Sequence, residues 1–135
     1  DNNFKTLVRT STILTSASTI CFNVTGSVIV KIFGICKTGV TTDGAVPTIE
    51  LGVSGNTAIL IAQIADARDL AINEIWTDAT PDSTVQDISS LPEFVISNGQ
   101  DIILTVGNSA NVTAGDVELY CIWKPLSDGA SISVA

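Results

Sequence analysis

Asp116-Val117-Glu118-Leu119-Tyr120-Cys121-Ile122-Trp123-Lys124 alternates without interruption. In an extended chain Val117, Leu119, Cys121 and Trp123 share one face, and Glu118, Tyr120, Ile122 and Lys124 share the other. That period of two predicts a strand with Trp123 in the core. It sets the template against which the rest of the chain can be compared.

The same reading extends through the sequence. Thr48-Ile49-Glu50-Leu51-Gly52-Val53 places Ile49, Leu51 and Val53 inward, and Ser54-Gly55-Asn56 closes it. Ile20, Phe22 and Val24 line one face of a strand that ends at the hairpin-like break Gly26-Ser27. Val28 to Cys36 is apolar on both faces apart from Lys31, as in a strand that is covered on both sides or lies centrally. Thr41-Thr42-Asp43-Gly44 is a turn, and Pro47 marks the next strand entry. Ala58 to Ala71 reads as a short strand followed by a helical turn near Ala65 to Leu70. Val85 to Ser90 and Glu93 to Ser97 read as two short strands divided by Pro92. Asn98-Gly99 predicts a type I′ hairpin joining Phe94-Val95-Ile96 to the strand Ile102 to Val106. Asn108 to Gly115 reads as a small-residue loop. About eight strands with at most one helical turn predict an all-β, β-sandwich or jelly-roll-like domain. Residues 1–17, rich in Thr and Ser, form an extended N-terminal arm or edge strand, and residues 18–135 form the sandwich.

Composition fits one core of this kind. The 135 residues match a single domain, and 45% hydrophobic against 15% charged residues is not the composition of a disordered chain. Fourteen acids against six bases give a formal charge of −8 with no basic block, which argues against nucleic acid and anionic membranes as partners. No apolar stretch reaches the 18 or so residues of a membrane span, and the first residues do not form a signal peptide. The sequence has no Met, so it is expected to be trimmed, processed or only part of a longer chain. Cys21, Cys36 and Cys121 are an odd set inside apolar runs and read as buried reduced thiols.

Chemistry is sparse. Without histidine the usual general base is missing, and no phosphate loop or zinc spacing occurs, so the chain reads as non-enzymatic and without a cofactor. The acidic run Asp66, Asp69, Glu74, Asp78, Asp82 and Asp87 reads as a solvated loop, with Asp78 and Asp82 as weak calcium candidates in an adhesin or tail module. Trp76, between turn residues, is open to packing at a core edge or to a partner or sugar contact, as in a carbohydrate-binding module.

The run Asn111-Val112-Thr113-Ala114-Gly115-Asp116 into Val117 to Lys124 and then Pro125-Leu126-Ser127-Asp128-Gly129-Ala130 resembles the C-terminal end of small virion proteins of tailed bacteriophages. Phe22-Asn23-Val24-Thr25-Gly26-Ser27 with the strand after it, and Gly52 to Thr80 with Glu74-Ile75-Trp76, are similar to the same group. The resemblance implies a head decoration, or cement, protein on the outer surface of the virion, assembled in the host cytoplasm. It implies the major capsid protein and the chain itself, as a homotrimer, for partners. A scaffold of that kind needs edges that pair with neighbours, which makes Thr6, Leu7, Val8, Arg9 and Thr10, together with Trp76, Pro125 and Leu126, the candidate interface.

Overall fold

A computed structural model describes residues 4–108 and 111–135. Among these residues ten strands run in chain order: β1 (Lys5–Thr12), β2 (Ser18–Thr25), β3 (Val28–Thr42), β4 (Thr48–Val53), β5 (Asn56–Ile64), β6 (Ile75–Trp76), β7 (Phe94–Ile96), β8 (Ile102–Gly107), β9 (Val112–Pro125) and β10 (Ser131–Val134). They form two antiparallel five-stranded sheets. The first has the order β1-β9-β3-β6, with β7 also on β3; the second has the order β10-β2-β8-β4-β5. The chain is an all-β sandwich.

Alternation decides which side chains meet between the sheets. Val28, Val30 and Ile32 from β3 and Val117, Leu119, Cys121 and Trp123 from β9 face Phe22, Val24, Ile49, Leu51, Ile102 and Leu104 from the second sheet, all buried. Burying each large aliphatic side chain contributes about 1.5–3 kcal/mol, which makes this layer the main source of stability. β1 closes one side. Leu7 packs on the core, Ser11 and Ile13 are buried, and the Ser11 hydroxyl lies 3.4 Å from the Cys21 sulfur. All three cysteines are free and buried.

Several local expectations give way to the tertiary arrangement. Asn98-Gly99 is not a hairpin, because β7 pairs with β3 in the first sheet while β8 pairs with β2 and β4 in the second. Gly99 has φ 65° but Asn98 does not have positive φ, so the type I′ geometry is absent. The same holds at Gly26-Ser27, which carries the chain from β2 in one sheet to β3 in the other. The two crossings are tied together, since the Gly99 amide donates to the Gly26 carbonyl at 3.0 Å.

Val85 to Ser90 is not a strand: Val85 is 91% exposed, and Asp87 caps a 3₁₀ turn over Ile88–Ser90. Ile20 leaves the inward row at a bulge between Ile20 and Phe22, which exposes Ile20 and buries Cys21. β5 runs on to Ile64 before a 3₁₀ turn over Ala67–Asp69. Of the expected loop Asn108 to Gly115, residues 109 and 110 lie outside the described residues, and β9 already begins at Val112, opposite Thr42. Residues 1–3 of the expected arm are also outside them.

Candidate interaction surface

The outer face of the first sheet is built by the residues of opposite parity to the core. On β3 these are Ile29, Lys31, Phe33 and Ile35; on β9 they are Glu118, Tyr120, Ile122 and Lys124; on β1 they are Thr6, Val8 and Thr10. Register aligns them in rows: Thr6 with Ile122 and Lys31, Val8 with Tyr120 and Phe33, and Thr10 with Glu118, Ile35 and Ile75. Val95 extends the face beyond Ile29.

At its centre the Phe33 and Tyr120 rings stack, with centroids 5.1 Å apart and planes 9° from parallel. They are direct cross-strand partners, which is why two flat rings meet here. The Tyr120 hydroxyl donates to Glu118, whose carboxylate also pairs with Lys37 at 3.4 Å. The hydroxyl bond holds the Glu118 carboxyl below its ordinary range, with Lys37 adding to the effect, and Glu118 in turn pushes the Tyr120 phenol up. Val8 and Val95 remain 44% and 64% exposed. The outcome is an aromatic and aliphatic strip edged by ion pairs, among them Lys31–Glu93 at 3.9 Å. The Lys124 ammonium lies 5.1 Å from the Phe4 ring centroid.

The candidate interface residues are partly brought together. Thr6, Val8 and Thr10 share this outer face, while Leu7 and Arg9 point inward. Pro125 and Leu126, at the end of β9, are exposed beside Ser27, whose carbonyl accepts from the Leu126 amide at 2.8 Å. Trp76 does not belong to the group. It is fully buried on the core side of β6, opposite Gly34, and presents no face to a sugar or a partner.

Asp78 and Asp82 are occupied by local turns. One Asp78 oxygen accepts from the Thr80 amide and hydroxyl at 2.8 and 3.0 Å, and Asp82 accepts from the Thr84 amide at 2.8 Å. Among the described residues no cluster of three or more His, Cys, Asp or Glu could hold a metal. A shallow depression between β3 and the 3₁₀ turn brings Lys37 near Arg68, but each is already paired with a carboxylate, Glu118 and Asp66.

Phe33, Tyr120, Ile122 and Val95 were not singled out from sequence. Their signal was present in the two-sided apolar run Val28 to Cys36 and in the outward Tyr120 and Ile122 of β9. A central position in the sheet accounts for β3 only in part, because its outer face stays half-buried.

No family model matches the sequence, and no curated protein matches it. Among solved structures the chain is similar to a chain of the Cyanophage Pam1 capsid asymmetric unit, at 14% identity and a TM-score of 0.39, covering 90% of this chain and 82% of that one.

Proposed function

We propose that this chain is a non-enzymatic structural protein of a phage virion, a head decoration or cement protein that binds the assembled shell as a homotrimer. The observation that carries the reading is the Val8-Tyr120-Phe33 strip on the outer face of the first sheet, next to the terminal strand β1. Aromatic residues at the centre of an exposed sheet, with charges at its margin, have the composition of a protein-binding patch. The C-terminal run Asn111 to Ala130 supplies the resemblance to phage virion proteins. On a symmetric shell many weak contacts of this size add up, so one modest patch per subunit suffices.

The test is addition of purified protein to shells lacking it, followed by sedimentation and imaging. Binding is expected for the native chain and lost for a Phe33→Ala/Tyr120→Ala variant that keeps its circular dichroism spectrum. A strictly monomeric protein that leaves such shells bare would overturn the reading.

A further inference from the structure

β1 is the terminal strand of its sheet, and one hydrogen bond fixes which of its groups are open. The β1–β9 register continues to Ile13, whose amide donates to the Gly115 carbonyl at 2.9 Å. Antiparallel ladders bond alternate residues, so Leu7, Arg9 and Ser11 direct their amides and carbonyls at β9. Thr6, Val8, Thr10 and Thr12 direct theirs off the sheet. Among the described residues no other segment pairs with them.

Edges of this length are usually blunted by proline, bulges, brevity or charge. β1 has eight residues, no proline and no register shift against β9. Only charge remains, and it has one sign. Lys5 and Arg9 are the ionic residues of β1, and among the described residues no Asp or Glu carboxylate lies within ion-pair distance of either. Lys5 sits 5.0 Å over the Trp123 ring, and the Arg9 guanidinium donates to the Ala135 carbonyl and to the Ser11 hydroxyl. In a chain of charge −8, five of the six bases, Lys5, Arg9, Lys31, Lys37 and Lys124, lie on β1, β3 and β9.

The geometry points to β1 as a strand-addition site for an extended segment of another protein that carries two carboxylates four residues apart. Lys5 and Arg9 have the same parity, so a strand laid alongside would face them with every second residue, and acids at n and n+4 would meet both. The intervening positions would pack beside Thr6, Val8 and Thr10, which suits β-branched residues. A second copy of β1 is the poorer occupant, because it would bring two more cations and no anion to the seam. The inference rests on the strand geometry and charge, independently of the virion reading.

The test is an amide NMR titration of the labelled protein with the peptide Thr-Val-Glu-Val-Thr-Val-Glu-Val-Thr, against the same peptide with both Glu replaced by Lys. The acidic peptide is expected to shift and protect the amides of Thr6, Val8 and Thr10. The basic one should bind about tenfold more weakly, the size expected when two favourable cross-strand charge pairs become unfavourable. Val8→Pro removes an amide that serves no ladder bond, so it should abolish the effect while the remaining spectrum stays folded. Arg9→Glu should shift the preference toward the Lys peptide, and it serves if the proline variant does not fold. Equal binding of both peptides, shifts confined to other strands, or protection that grows with protein concentration alone would overturn the proposal.

Discussion

The indole of Trp76 lies across Gly34. A Cβ built on Gly34 would stand 3.5 Å from Trp76 Cε3 and only 2.8 Å from Val117 Cγ2. Gly34 therefore serves as the hollow in a continuous inward row, Val28, Val30, Ile32 and Cys36, into which β6 delivers its tryptophan. Gly34→Ala should destabilise the fold by about 1–3 kcal/mol through overpacking. Trp76→Ala should cost about 3–5 kcal/mol through the cavity it leaves. Urea unfolding monitored at Trp123 measures both; a Gly34→Ala midpoint at or above the native one would show that Val117 and Trp76 yield freely.

The buried thiols set the alkaline limit of stability. Burial pushes Cys36 up to about 11, with Glu74 adding to it, and Cys121 to about 12; Cys21 is also raised by burial. Unfolded thiols ionise near pH 8.5, so the contribution of the neutral buried form is complete below that value and is lost as pH climbs toward 11–12. On the acid side the sign reverses. Asp82 and Asp87 are held low by hydrogen bonds from Thr84 and Ser89, and Glu118 by the one from Tyr120. Their contribution is present above the ordinary carboxyl range and declines as pH falls through the depressed values. The urea midpoint should be flat from about pH 5 to 8.5 and drop on both sides. A thiol reagent at pH 8 should leave all three cysteines unmodified until the protein unfolds, and rapid labelling of the native protein would contradict the burial.

What could be read from sequence was whatever alternation encodes. β9, β4 and the core half of β3 follow from period two, as does the inward position of Trp123. Destination could not be read. Asn98-Gly99 specifies a turn, but nothing near it says that β7 and β8 belong to different sheets. Trp76 sits among turn residues, and the hollow that receives it lies far away in sequence at Gly34. Phe33 and Tyr120 each had a legible outward parity, yet their stacking depends on a register that only the assembled sheet fixes. The bulge at Cys21 shifted Ile20 outward for the same reason: bulges follow from pairing, not from local pattern.

The inter-sheet crossing makes a prediction that separates it from a hairpin. Gly99 has φ 65°, and an added Cβ would meet the Val24 carbonyl oxygen at 3.2 Å. Gly99→Ala should cost roughly 1–2 kcal/mol, the penalty of a left-handed conformation for a residue with a side chain. Asn98→Ala should stay within about 0.5 kcal/mol, because its φ is ordinary and it needs no special residue. A type I′ turn would make both positions sensitive. Thermal melts of the two variants decide between them, and comparable losses at Asn98 and Gly99 would reject the crossing geometry.

Hydrogen exchange along β1 reads its edge directly. The amides of Leu7, Arg9, Ser11 and Ile13 point at β9, so they open only when the strand leaves the sheet. Those of Thr6, Val8, Thr10 and Thr12 face outward and need no opening at all. Exchange rates should alternate residue by residue, slow at odd and fast at even positions, by about a hundredfold or more if detaching β1 costs roughly 3 kcal/mol. The alternation should persist on dilution if the edge is open in the lone chain. Uniform slow exchange at every concentration would mean that another segment already covers β1, and uniform fast exchange would mean that the strand is not docked on β9.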